Sequence, residues 1–250
     1  MTRIILTGCC GKMGHVIQSI VSSRNDCEIV AGVDVYDSKD CDFPVYSSIS
    51  EVEQEADALI DFSNPSLLDS ILEYGKSTNT SLVIATTGYD DCQKKQIELA
   101  SEECAVFFTY NYSMGVNLLA SLAKKAVEVL GDGFDIEIIE KHHNQKIDAP
   151  SGTALMLADA INEEVDNRMK YEYDRHSKRE KRTKNEIGIH AVRGGTIVGE
   201  HEIIFAGRDE IITLSHSARS KEIFAVGAVN AAVFMTGKEC GMYDMSQLIK

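Results

Sequence analysis

Ile4-Ile5-Leu6-Thr7-Gly8-Cys9-Cys10-Gly11-Lys12-Met13-Gly14 is the stretch that decides how this chain folds. A short apolar run enters a turn rich in glycine, and Met13, Val16, Ile17, Ile20 and Val21 then recur at helical spacing. The order is strand, glycine turn, helix. Glycines spaced Gly-x-x-Gly-x-x-Gly let backbone N–H groups approach a pyrophosphate at a helix N-terminus. Residues 28–33 read as a second strand, and Asp34 stands at its carboxyl end, 20 residues after Gly14. An acid at that place accepts hydrogen bonds from an adenosine ribose diol. Val35-Tyr36-Asp37 supplies no arginine for a 2′-phosphate, and Asp34 and Asp37 would repel one. NADH is therefore expected to be preferred over NADPH, with Lys12 or Lys39 leaving some NADPH use open. Cys9 and Cys10 fill turn positions where small residues are usual. A redox-sensitive turn is the sharper alternative, since a thiol near a helix N-terminus can have a lowered pKa.

The pattern continues outward from this unit. Residues 43–46 suggest a short strand, 50–55 an acidic helix, and 58–63 a buried strand. A helix runs from Asn64-Pro65 to about 76, a strand covers 82–85, a helix covers 90–102, and 106–108 is a last strand. Short, continuous apolar strands alternating with helices indicate a parallel sheet covered on both faces. Ligands of such sheets bind at strand carboxyl ends. This directs attention to Phe62-Ser63, Ala85-Thr86-Thr87-Gly88 and Thr109-Tyr110-Asn111-Tyr112 as walls of a cofactor cleft.

In the second half a helix over 113–130 ends at Gly131-Asp132-Gly133. Strands are expected at 134–139, 187–192, 199–206 and 210–215, the last three as a meander, giving an open mixed four-stranded sheet flanked by helices 117–130 and 154–165. The dense charges of 166–186 read as a mobile surface loop. His190, Arg193 and His201 lie on the sheet and are expected to be exposed or at an interface. An alanine-rich helix over 224–235 returns to the first domain. The fold class is thus α/β, with a Rossmann-like dinucleotide-binding domain (1–113 and 222–250) and a smaller α+β domain for substrate binding and oligomerisation (114–221).

Between the strand 134–139 and the helix 154–165 lies Glu140-Lys-His-His-Asn-Gln-Lys-Ile-Asp-Ala-Pro-Ser-Gly-Thr-Ala154. A helix N-terminus preceded by Ser151 and Gly152 offers unpaired N–H groups and a positive dipole end, which suit a carboxylate. His142 or His143 can supply a proton near neutral pH, and Lys146 adds a cation. Adjacent histidines rarely chelate one ion, and no second His/Cys cluster at ligand spacing is nearby, so no metal is assigned. At 250 residues and a net charge of −14 the chain is an unsuitable partner for nucleic acid. No apolar run reaches spanning length, Met1-Thr2-Arg3 leads straight into a strand, and seven cysteines lack framework spacing. A cytoplasmic protein with free thiols, without membrane contact, is expected.

Glu-x-His-His-x-x-Lys-x-Asp-Ala-Pro-Ser-Gly-Thr-Ala resembles the signature of the dihydrodipicolinate reductases of lysine and diaminopimelate biosynthesis. Asp-Phe-Ser, Thr-Thr-Gly and Asn-Tyr-Ser-x-Gly-Val-Asn are similar to segments that line the dinucleotide in that family. The resemblance spans essentially the whole chain. It implies reduction of hydroxytetrahydrodipicolinate by hydride transfer from NAD(P)H with loss of water, in a homotetramer. Carried over, His142 is the proton donor and Lys146 holds a substrate carboxylate and shares in protonation. His143, Gly152 and Thr153 bind the dicarboxylate, and Asp148 orients the loop. Gly8, Gly11, Lys12, Met13, Gly14, Asp34, Phe62, Ala85, Thr86, Thr87, Thr109, Tyr110, Asn111 and Tyr112 meet the cofactor. Asn64 and Lys221 stand where the family tends to have arginine, and Asp34 lacks the basic residue that often follows it. The alternatives are another two-domain NAD(P)-dependent amino or imino acid dehydrogenase, such as one for aspartate, and an NADH-sensing regulator. The first gives no reason for the 140–154 pattern, and the second would need a basic helix-turn-helix.

Overall fold

The run 2–7 is apolar along its length because it forms a strand near the centre of a sheet that is covered on both sides. A computed structural model describes residues 1–36 and 41–249. Asp37 and Lys39, which enter the cofactor reading above, lie outside the described residues. The chain divides into two units, Met1–Tyr112 with Glu222–Lys250, and Ser113–Lys221.

The first unit contains β1 (Thr2–Thr7), α1 (Lys12–Ser22), β2 (Cys27–Val33), β3 (Val45–Tyr46), β4 (Ala58–Asp61), α2 (Leu68–Thr78), β5 (Ser81–Ile84), α3 (Asp91–Ala100) and β6 (Ala105–Phe108). The second contains α4 (Met114–Leu130), β7 (Asp135–His142), α5 (Gly152–Glu163), β8 (Lys170–Glu172), β9 (Glu186–Arg193), β10 (Gly199–Ala206) and β11 (Ile211–Ala218). The chain then re-enters the first unit as α6 (Glu222–Met235), β12 (Gly241–Tyr243) and α7 (Met245–Leu248).

Seven parallel strands of the first unit run in the order β12-β6-β5-β4-β1-β2-β3. Successive side chains of β1 serve opposite layers. Ile4 and Leu6 pack with α1 and the alanine-rich α6, while Ile5 packs with α2 and α3. After β3 the chain crosses to the other side of β1 to make β4, so the strand order reverses there, and ligands bind at such a switch point. The acidic segment expected as a helix over 50–55 is one 3-10 turn, Ile49–Glu51, with a Ser48–Glu51 capping box. Its apolar residues are too few to hold a longer helix against the sheet.

The sheet of the second unit runs β11-β10-β7-β9-β8. β9 pairs parallel with β7, and β10 pairs antiparallel with it, so the last three long strands do not form a meander. They straddle β7, whose inner residues Ile136 and Ile138 pack beneath α4 and α5. A fifth strand, β8, lies inside the stretch that reads as a charged loop. Several of the charges there are matched within the unit. Arg182 donates to the carbonyls of Ile136 and Glu186 and pairs with Asp135 and Glu137, Arg175 pairs with Glu186, and Lys178 pairs with Glu172. Among the described residues, no helix is long and apolar enough to cross a membrane.

Candidate functional site

The glycine turn of the first unit is built by close approach. Gly8 has φ +74°, and a Cβ there would stand 2.3 Å from the Phe62 carbonyl oxygen. A Cβ at Gly14 would stand 2.3 Å from the Cys9 carbonyl oxygen, so α1 can pack onto the turn only with glycine there. The helix begins after Gly11 with no side-chain cap, which leaves the N–H groups of Lys12, Met13 and Gly14 at its positive end without intrahelical acceptors. The Asp34 carboxylate accepts from the Cys10 N–H (2.9 Å) and the Tyr36 N–H (3.1 Å), tying the turn to the end of β2. Asp61, wholly buried at the end of β4, accepts from the Thr7 hydroxyl (2.7 Å), the Ser63 N–H (3.1 Å) and the Tyr89 hydroxyl (3.0 Å). These bonds hold the Phe62-Ser63 corner against β1.

A cavity of about 430 Å³ opens between these elements, and Gly8, Gly11, Asp34 and Phe62 line it. Its size is within the roughly 300–1,000 Å³ of small-ligand pockets. Ser63, expected there, also lines it, as do Ser48 and Ser66 from turns whose functional content the sequence pattern did not reveal. Thr86 supports the wall from behind, accepting the Ser63 N–H at 2.8 Å, and Ala85 is buried beside it. Thr109 and Asn111 form a turn with each other, Thr87 and Tyr110 are exposed, and the buried Tyr112 commits its hydroxyl to the Ile84 and Phe107 carbonyls. Cys9 is completely buried, and burial pushes its thiol up, the reverse of what a reactive turn thiol requires.

In the second unit the 140–154 stretch is arranged around Glu140, which is 0% exposed. Its Oε2 accepts from His142 Nδ1 (2.7 Å) and its Oε1 from the Ser151 N–H (3.0 Å). Arg193, the last residue of β9, donates to both oxygens at 2.7 Å. The same guanidinium donates to the Asp148 carbonyl at 2.6 Å. Burial alone would raise the Glu140 carboxyl, but the bonds from Arg193, His142 and Ser151 outweigh it and hold the group below its ordinary value. It is therefore an ionised acceptor for the His142 Nδ1–H, and Nε2, which carries the second proton in the imidazolium form, is the nitrogen left for other work. Gly199 leaves room for the ring, since a Cβ there would stand 3.1 Å from Nε2.

Ser151 caps α5, its hydroxyl accepting the Ala154 N–H at 3.2 Å and meeting His201 Nε2 at 3.0 Å. The N–H groups of Gly152 and Thr153 lie in the first turn, and a Cβ at Gly152 would meet nothing within 4 Å. Lys146 pairs with Asp148 at 2.8 Å, and the Lys146 N–H donates to the His143 carbonyl. That pairing holds the Asp148 carboxyl below its ordinary value. The stretch thus joins a histidine nitrogen, a cation and a helix N-terminus within one loop, a donor set for a carboxylate beside a proton source.

Arg193 and His201, expected on an exposed or interface surface, instead belong to the interior of this site. Arg193 neutralises Glu140, and His201 is buried with its ring edge-on to His142, the centroids 5.2 Å apart. Burial first, and then the neighbouring His142, bring His201 down to about 4. One signal in the sequence pointed this way. Glu140 takes an inward position in the alternation of β7, after Ile136 and Ile138, and an acid there needs a buried counter-charge.

Family models for the N-terminus and the C-terminus of dihydrodipicolinate reductase match residues 2–112 and 115–249. A 4-hydroxy-tetrahydrodipicolinate reductase of Caldanaerobacter subterraneus subsp. tengcongensis is 51% identical over 250 residues, covering 100% of this chain and 99% of the relative. One from Clostridium tetani is 49% identical over 249 residues, covering 100% and 97%. Among solved structures, a dipicolinate-bound dihydrodipicolinate reductase from Paenisporosarcina sp. TG-14 superposes with a TM-score of 0.80 at 27% identity, covering 98% of this chain and 97% of that one. A probable dehydrogenase from Thermotoga maritima shares the fold, with a TM-score of 0.65 at 11% identity, covering 99% and 92%.

Two outcomes follow from the buried charges. Arg193→Met leaves Glu140 without its counter-charge, so urea denaturation should show a loss of about 3–5 kcal/mol, most of it recovered in the Glu140→Gln/Arg193→Met double variant. No recovery would mean that the pair does not act as a unit. His201 binds a proton less readily when folded than when unfolded, so the unfolded state holds more protons between about pH 6.5 and 4 and stability falls as pH falls through that window. His201→Phe should flatten that decline, by at most on the order of 3 kcal/mol. Parallel stability–pH curves for the two proteins would contradict this.

Proposed function

This chain belongs to the dihydrodipicolinate reductase family, and we propose that its reaction, the NAD(P)H-dependent reduction of 4-hydroxy-tetrahydrodipicolinate to tetrahydrodipicolinate in lysine and diaminopimelate biosynthesis, is divided between the two sites above. The single observation that carries the division is the His142–Glu140 bond of 2.7 Å beside the start of α5. It supports His142 as the proton donor: with its Nδ1–H held by Glu140, the imidazolium form releases the proton on Nε2. Lys146 and the N–H groups of Gly152 and Thr153 bind the substrate's carboxylates, with His143 alongside, and Lys146 shares in the protonation. The proton supplied by His142 offsets negative charge as it develops on the substrate, which lowers the barrier. Asp148 positions Lys146. The dicarboxylate chemistry agrees with the dipicolinate held by the Paenisporosarcina relative.

The glycine turn and its cavity fit a dinucleotide: Gly8 and Gly14 tolerate no Cβ, α1 begins uncapped, and Asp34 presents a carboxylate to the cavity. Gly8, Gly11, Lys12, Met13 and Gly14 would hold the pyrophosphate and Asp34 the ribose diol. Phe62, Ala85, Thr86, Thr87 and the 109–112 segment would flank the remainder. When bound, the nicotinamide supplies the hydride. Asp34 disfavours a 2′-phosphate, and Val35 and Tyr36 after it carry no positive charge, which supports NADH over NADPH. The seven free cysteines agree with a reducing, cytoplasmic setting. The outer face of the second sheet bears Ile139 and Ile204, which lie outside the core beneath α4 and α5, and supports assembly as a homotetramer; a monomer mass in sedimentation would refute it.

Initial rates with enzymatically generated substrate test the roles. NADH should be favoured at matched concentrations, and a preference for NADPH would remove the Asp34 reading. His142→Ala should lower kcat by roughly 10²–10⁴-fold with NADH binding retained. A folded variant that no longer binds NADH would contradict the assignment of His142 to the substrate site.

A further inference from the structure

Cys9 and Cys10 follow Gly8 directly, and their sulfur atoms stand 3.8 Å apart. Two thiolates bound tetrahedrally at the ~2.3 Å of a zinc–sulfur bond are about 3.8 Å apart, so the pair already has the spacing of two ligands on one ion. A carboxylate oxygen of Asp34 completes a set whose donor atoms all lie within 4.8 Å of one another. Among the described residues, no other three His, Cys, Asp or Glu side chains converge in this way. The N–H groups of Cys10 and Tyr36 fix the carboxylate, which keeps lone pairs to spare. Gly32 makes room for the Cys9 sulfur, because a Cβ there would stand 2.7 Å from it. Cys10 and Asp34 line the cavity, so an ion can enter from that side and keep a water as its fourth ligand.

We propose that Cys9, Cys10 and Asp34 form a binding site for a thiophilic divalent cation of the zinc class, and that the bound ion excludes the dinucleotide. Thiolates select such an ion over magnesium or calcium. As the two metal–sulfur bonds form, each thiol releases its proton to solvent and no electron is transferred; the charge of the ion offsets the burial that disfavours a Cys9 thiolate in its absence. The ion takes the Asp34 oxygen that the ribose diol would use, and this exclusion rests on the cofactor reading above.

The test is titration of the reduced protein with Zn²⁺ against a chromophoric chelator, repeated with Cd²⁺ to read the thiolate charge-transfer absorbance. The expected result is one ion per chain with that absorbance, unchanged in the Cys92→Ser/Cys240→Ser variant, whose two lost thiols are exposed. Loss of an outer partner typically weakens a metal site about 10–100-fold, so loss of a ligand in Cys10→Ser should weaken binding at least that much. Circular dichroism establishes that the variant is folded. Absence of stoichiometric binding, or binding undiminished in folded Cys10→Ser, overturns the site. Addition of NADH to the unaltered protein should weaken Zn²⁺ binding. Stoichiometric, Cys10-dependent binding that ignores NADH keeps the metal site but overturns the exclusion, and counts against Asp34 as a cofactor residue.

Discussion

A single buried carboxylate organises the second unit. Removing Glu140 from water carries a desolvation cost of several kcal/mol, which is offset only when its oxygens are fully engaged. Its donors come from three separate places: His142 at the end of β7, the Ser151 main chain at the start of α5, and Arg193 at the end of β9. Satisfying one charge therefore fixes where a strand, its parallel neighbour and a helix N-terminus meet. Arg193 extends the constraint to the Asp148 carbonyl, which sets the loop carrying Lys146. In an interior of low dielectric such a network is strong when complete and costly when one member is missing.

The first unit uses the same device at two corners. Asp61 gathers donors from β1, the following turn and Tyr89, while Asp34 gathers main-chain donors from the glycine turn and from its own turn. Each carboxylate replaces hydration with fixed donors and so immobilises backbone that would otherwise be loop. The difference lies in exposure. Asp61 is sealed and serves only to shape the corner, whereas Asp34 faces the cavity and keeps acceptor capacity for a ligand.

Much of this was legible from local pattern. Continuous apolar runs at 4–6, 58–60 and 82–84 can be buried only in a strand covered on both faces, so the parallel sheet follows from the chain itself. The strand–glycine–helix entry and the dense 140–154 motif likewise carry their chemistry in consecutive residues, and the resemblance to the reductase family rests on them. β8 was not legible, because an edge strand of three residues has no periodicity to display and its Glu172, paired with Lys178 six residues on, looks like a charge of a solvated loop.

The sequence by itself determined most of the elements, the two kinds of sheet and the family, because these depend on periodicity and on motifs read within one turn of chain. Only the tertiary structure decided that β7 separates β9 from β10, for strand neighbours are chosen by register and shared burial, not by order along the chain. That choice sets His142 against Arg193 and Glu140 against His201 across the two ladders of β7. An arginine and a histidine that look like surface residues in sequence thereby become the counter-charge and the buried neighbour of the site, since a charge 53 positions away has no local signature until the fold brings it to 2.7 Å.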